Sequence, residues 1–233
     1  MNAQNRRTYH SDLRRENAEA TRKRIADAAS ALMLERGYAA TTMADVARAA
    51  GVAVQTLYSS CPGGKPGLAK LVYDVTLAGD GRLVPQSARP EVAAIIVEPD
   101  PARKLALFAE MAVGIYRRIG PVHRVLRSAA AAGGGLTDLM AETEQQRLLG
   151  SQGPAAHLAE TGFLREGLSV DRAAHQIYTL TSIELFERLT EVCGWSLDEC
   201  RDWLARTLAA VLLEPGALGQ KHVTTPGKPA CGS

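Results

Sequence analysis

The chain has 233 residues, of which 46% are hydrophobic and 5% aromatic, with 21 Gly and 11 Pro. These proportions exclude a collagenous, wholly disordered or disulfide-dense protein and leave room for one or two domains with a sizeable core. Lys and Arg number 27 against 25 Asp and Glu, but residues 1–65 carry ten basic and six acidic side chains, leaving seventeen and nineteen for the remainder. A basic front on a mildly acidic body suits a polyanion-binding module joined to something else. A solvated charged tail is the plainer alternative.

Abundant Ala, Leu and Arg with few β-branched runs predict an all-α chain. Residues 1–20, with Arg6, Arg7, Arg14 and Arg15, read as a mobile, disordered basic arm that becomes helical near its end. Thr21 caps a helix to about Arg36, whose Ile25, Ala28, Ala29, Leu32 and Met33 recur at the spacing of one buried face. Gly37 stops it. Thr42 starts a second, short helix, with Asp45 three residues on as a short-armed capping box and Met43, Val46, Ala47 and Ala50 facing inward. Gly51 ends it, and a third helix covers about Val54–Ser60 with Leu57 inward. Pro62, Gly63, Gly64 and Pro66 break the chain before a fourth helix, to about Ala78.

A loop-rich stretch, 79–101, has room for a helical turn near Glu91–Val97. Pro101 opens a helix with the stripe Leu105, Phe108, Met111, Ala112, Ile115 and Tyr116, and Pro121 is expected to begin another, through Ala132. Gly133–Gly135 and Gly150–Pro154 read as breaks around helices at about Leu136–Leu149 and Ala155–Thr161. Two strong helices close the body: Val170–Cys193, and a second opened by the capping box of Ser196 and Glu199. Residues 214–233 are predicted to be a disordered tail.

Two short helices joined by a tight turn at Gly51 have helix-turn-helix spacing. The outer residues of the second helix, Val54, Gln55, Thr56, Tyr58, Ser59 and Ser60, then face a DNA major groove. Gln55 suits an adenine edge and Thr56 a thymine methyl or a phosphate, while Tyr58, Ser59 and Ser60 donate to phosphates. Thr42 sits at a helix N-terminus, itself an anion site. Lys65 neutralises a phosphate, and Arg22, Lys23 and Arg24 add salt-dependent attraction.

The stretch Thr21–Val75 resembles the N-terminal domain of the tetracycline-repressor-type (TetR) family. The residues that carry the likeness are Gly37-Tyr38, Thr41-Thr42-Met43, Asp45-Val46-Ala47, Ala50-Gly51-Val52, Thr56-Leu57-Tyr58, Lys65 and Leu68. The stretch covers about a quarter of the chain. Ala155–Leu213, with Gly194-Trp195-Ser196, is loosely similar to actinobacterial members. The chain departs from the pattern at Ala53, where the family has a capping Ser, at Cys61, where it has an aromatic, and at Gly63-Gly64, an insertion that shifts Lys65 by one residue.

The resemblance implies a three-helix head (21–65) on a helical ligand-binding and dimerisation body (66–213). It also implies a homodimer through the last two helices, a pseudo-palindromic double-stranded DNA operator, and repression relieved by a small, largely apolar effector. From the residues themselves, Phe108, Met111, Ile115, Tyr116, His123, Leu126, Tyr178, Thr181 and Ser182 are the candidate ligand contacts, with His175 as a further polar handle; core packing is the plainer role for each. Arg117-Arg118 and Arg124–Arg127 read as a solvated face.

No metal site or cofactor is expected. Cys61, Cys193, Cys200 and Cys231 lack C-x-x-C or metal-ligand spacing and read as reduced thiols. No catalytic fingerprint is present, which sets aside, without eliminating, a helical enzyme. A DNA-binding dimer without an effector is the other alternative. The polar N-terminus and the lack of an apolar run near ~20 residues predict a cytoplasmic protein that does not enter a membrane.

Overall fold

A computed structural model of the chain describes residues 3–82, 84–85 and 88–215. Among these residues there are ten α-helices and no strand, so the architecture is all-α as expected: α1 Ala3–Ala40, α2 Met43–Ala50, α3 Val54–Ser60, α4 Lys65–Ala78, α5 Pro90–Val97, α6 Pro101–Ala131, α7 Thr137–Glu160, α8 Val170–Leu180, α9 Ile183–Glu187 and α10 Leu197–Leu212. An isolated antiparallel bridge joins Leu164 to Leu213. Most of the expected tail, 216–233, and with it Cys231, lies outside the described residues.

Several expectations need correction, among them the loop reading of 79–101, which holds the eight-residue helix α5. Helix α1 begins at Ala3, so the stretch read as a mobile arm is helical from Ala3 onward. It has no Gly or Pro before Gly37, where φ is +82° and the chain kinks, and its Ala, Arg, Gln and Glu are strong helix formers. Pro121 lies inside α6 instead of starting a helix, and Pro154 lies inside α7, which runs through the expected break at Gly150–Pro154. Each proline forfeits the N–H bond to the carbonyl four residues back and crowds that carbonyl, a loss set against the packing of α6 on α1, α4 and α10 and of α7 on α8. The expected helix Val170–Cys193 is instead interrupted. Thr181 ends α8, the Ser182 hydroxyl accepts from Leu185 N to start α9, and Arg188–Val192 forms a π-helical turn. Arg124 and Arg127 stay substantially exposed, as a solvated face requires, and also make ion pairs from α6 to Glu184 and Glu187 of α9 and Glu191 of the π turn.

The apolar interior has two parts. The first gathers Ile25, Ala29 and Met33 of α1, Val46, Ala47 and Leu57 of α2 and α3, and Leu68 and Val72 of α4, together with Ile119, Val122 and Leu126 of α6. The second packs Leu105, Ala109 and Val113 of α6 against Leu158 of α7, Ile177 of α8, Phe186 of α9 and Leu204, Leu208 and Leu212 of α10. Helix α6 thus belongs to both, its first half to the body and its second half to the head, with Tyr116, which packs against both, at the changeover. The predicted capping box of Ser196 and Glu199 opens α10.

Candidate nucleic-acid interface and body cavities

The head is organised by caps. Thr42 Oγ1 accepts from Asp45 N at 3.1 Å and donates to Asp45 Oδ2 at 2.8 Å, which starts α2. The Thr42 hydroxyl, with Arg48 and Arg36 behind it, holds the Asp45 carboxyl below the usual carboxylate range. Gly51 closes α2 in the left-handed region, φ +63°, where a side chain would be strained. Val52 N then bonds back to Ala47 O at 3.0 Å, fixing the reversal into α3. Leu57, 0% exposed, is the only residue of α3 that is buried, and it pins the helix to the first core.

The outer side of α3 is open. Val54, Gln55, Thr56, Tyr58 and Ser59 are exposed, and Ser60 is half-buried. The side chains of Gln55, Thr56 and Tyr58 have no hydrogen-bond partner among the described residues, so an amide, a hydroxyl and a phenol are free to meet a ligand. The serines differ from expectation: Ser59 Oγ donates to Gln55 O and Ser60 Oγ to Thr56 O, both at 2.9 Å. Their protons are committed to the helix backbone, and their oxygens remain only as acceptors.

Two expected phosphate contacts are also engaged elsewhere. Arg22 donates through Nε and Nη2 to Gly81 O, at 3.3 and 3.2 Å, clamping α1 to the segment after α4. Lys65 Nζ donates to Ala39 O at 2.8 Å and lies 4.5 Å from the centre of the Tyr38 ring, and burial lowers its pKa. Lys23 pairs with Asp27 at 2.7 Å. Sequence reasoning passed over Arg48, which is exposed on α2 beside the Gly51 turn and pairs with Asp45. Its signal was its place off the inner face defined by Met43, Val46, Ala47 and Ala50.

Helix α3 lacks a side-chain N-cap: Ala53 has the extended geometry of a cap residue, φ −66° and ψ 145°, and nothing to cap with. Ala53→Ser is expected to supply the missing acceptor and raise stability by roughly 0.5–2 kcal/mol. A higher urea midpoint with an unaltered slope checks it; an unmoved midpoint would show that water already serves those N–H groups. Cys61, at the other end of α3, is buried, and burial pushes its thiol up to about 11. It behaves as a small core hydrophobe. Cys193 and Cys200 are free as well, the first exposed and the second buried.

The body holds two apolar cavities that share Phe108, Met111 and Gly150. The first, about 480 Å³, lies between α5, α6 and α7 and is lined by Ile95, Ile96, Lys104, Leu105, Pro154 and His157 among others. The second, about 350 Å³, reaches toward the head between α4, α6 and α7, past Tyr73, Ile115, Tyr116, Ile119, Arg147 and Thr181. Both volumes fall among those of small-molecule sites.

Of the candidate ligand residues, Phe108, Met111, Ile115, Tyr116 and Thr181 line these cavities. Four do not. Leu126 is fully buried in the first core. His123, 3% exposed, packs 6.3 Å from the Tyr73 ring, and burial lowers its pKa. Tyr178 donates to Glu144 and lies under Arg147, and Ser182 caps α9. His175 is exposed. The α7 wall was missed because Gly150–Pro154 was read as a break, and the α5 wall because 79–101 was read as loop-rich. Lys104 had a visible signal: it stands four residues before Phe108 and seven before Met111, on one helical face. Among the described residues, no cluster of three ligand-type side chains could hold a metal, and no helix is long and apolar enough to cross a membrane.

The family described as "Bacterial regulatory proteins, tetR family" matches residues 25–60, which span the second half of α1 through the end of α3. No curated protein matches the chain. Solved structures do. A TetR-family transcriptional regulator from Rhodococcus sp. is 17% identical, with a TM-score of 0.65 over 83% of this chain and 98% of that one. The SmeT–triclosan complex is 18% identical, with a TM-score of 0.63 over 90% and 100% of the two chains. The regulator FadR from Bacillus subtilis, in complex with stearoyl-CoA, is 19% identical, with a TM-score of 0.62 over 81% and 97%. At such identities the likeness beyond the head is one of fold. Residues 25–60 therefore resemble the head of the tetR-family regulatory proteins, and the chain has the fold of the solved structures named above.

Proposed function

We propose that the protein is a ligand-responsive transcriptional repressor. It binds a pseudo-palindromic operator as a homodimer held by its last helices, and it releases DNA when a small molecule fills the body. The observation that carries this reading is the double membership of α6, which lines both cavities with Phe108 and Met111 and enters the head's core with Ile119, Val122 and Leu126. A ligand that displaces the first half of this helix shifts the platform on which α1 and α4 rest, and with it the spacing of two heads on DNA. Release requires that the ligand favour the non-binding arrangement; a tenfold loss of operator affinity corresponds to about 1.4 kcal/mol of coupling. The triclosan and stearoyl-CoA complexes of similarly folded proteins support a body that takes small molecules.

The test starts with selection of a duplex from a random library. Fluorescence anisotropy near 0.15 M salt is expected to show two protomers per selected duplex and an affinity at least about 10³-fold above that for scrambled DNA. Equal affinity for both would overturn the reading. A compound that raises the melting temperature is expected to weaken the operator complex. Stabilising compounds that leave the complex intact would favour a DNA-binding dimer without an effector.

A further inference from the structure

Lys104 stands out among the groups that line the cavities. It is 4% exposed, and its ammonium donates to Ile95 O at 2.8 Å and Ile96 O at 2.7 Å, with His157 Nε2 at 3.1 Å as its third neighbour. All three partners are uncharged oxygens or a ring nitrogen, and no carboxylate pairs with it among the described residues. Arg147, the guanidinium lining the second cavity, is answered by Glu144 at 3.0 Å and by the carbonyls of Tyr178 and Thr181. Neither cavity has an Asp or Glu in its lining.

A buried cation without a counter-ion is costly. Burial accordingly lowers the Lys104 pKa, against a weaker opposing pull from Glu98. The carbonyls of Ile95 and Ile96 end α5, so the negative pole of that helix offsets part of the cost. The remaining deficit faces an apolar chamber of about 480 Å³.

We propose that this chamber takes an elongated apolar molecule bearing a single carboxylate. The carboxylate sits on the Lys104 ammonium in place of the His157 ring, and the chain lies along Leu105, Phe108 and Met111 toward Pro154. Met111 and Phe108 give the chamber an adaptable wall, and Gly150 and Gly153 leave α7 without side chains where the chain passes. The His157 contact is the longest of the three and is the one an anion displaces. This inference rests on reading the cavity as an effector site and adds the chemistry of the effector.

The experiment uses the full chain and three ten-carbon probes, decanoate, decan-1-ol and decyltrimethylammonium, each below its aggregation concentration, in isothermal titration at neutral pH. Decanoate is expected to bind at least tenfold tighter than the alcohol, with the ammonium weakest. Lys104→Met keeps the apolar stem and is expected to erase the preference for decanoate over decanol while still binding the alcohol. His157→Leu frees the third ammonium N–H and is expected to hold or raise decanoate affinity. Should Lys104→Met fail to fold, the ranking on the unaltered protein and on His157→Leu decides. Decanol binding as tightly as decanoate, a preference for the ammonium, or no binding of any probe would each overturn the proposal. Operator affinity is measured alongside. Decanoate that binds with the expected preference but leaves the operator complex intact removes the effector reading and keeps this one. Release of DNA by other compounds, with decanoate unbound, does the reverse.

Discussion

Replacing Tyr58 by Ala is expected to weaken operator binding by about 10- to 100-fold and to leave the melting temperature unchanged. Tyr58 is 49% exposed on α3, and its hydroxyl has no partner among the described residues. Its removal therefore takes nothing from the core. A hydrogen bond to a charged group contributes about 1.5–3 kcal/mol, which is the stated range of affinity. The check is anisotropy on the selected duplex near 0.15 M salt, beside a thermal melt of the same preparation. Undiminished affinity would place a different surface on the DNA.

The neighbouring substitution, Leu57→Ala, is expected to do the opposite in kind. Leu57 is fully buried and is the single buried residue of a seven-residue helix. Truncating such a side chain costs about 2–5 kcal/mol, a large share of the roughly 5–15 kcal/mol that holds a typical domain together. A helix this short has no stability of its own in water, so α3 loses its seat as well as its packing. Urea unfolding is expected to show a markedly lower midpoint, with operator affinity falling alongside. A midpoint within error of the unaltered protein would mean that α3 is held by contacts other than Leu57. Together, two adjacent residues separate reading DNA from presenting the reader.

The head was legible in the sequence because its information is local. Thr42 with Asp45, Gly51 in the left-handed region and the inward set Val46, Ala47, Ala50 and Leu57 each act within a turn or two of themselves. What sequence could not show is which polar groups the fold would spend internally. Arg22 is spent on Gly81, 59 residues away, and Lys65 on Ala39, 26 residues away. The protons of Ser59 and Ser60 go to their own helix.

In the body, proline and glycine misled where packing outweighed local preference. Pro121 and Pro154 sit within α6, which packs on α1, α4 and α10, and α7, which packs on α8. The converse error, one helix expected over Val170–Cys193, arose because the apolar stripe continues across the Ser182 cap and hides it. The stripe on α6 did point to Phe108, Met111, Ile115 and Tyr116. Their facing walls on α5 and α7 come from tertiary placement, which periodicity does not encode.

Helix α6 has a consequence for dissecting the molecule. A fragment ending at Ala78 would keep α2 and α3 whole but lose Ile119, Val122 and Leu126, leaving Ile25, Leu68 and Val72 without their cover. The head is thus an incomplete unit that borrows its floor from the body. Excising it would remove the support that, on the function proposed above, shifts when a ligand enters the body.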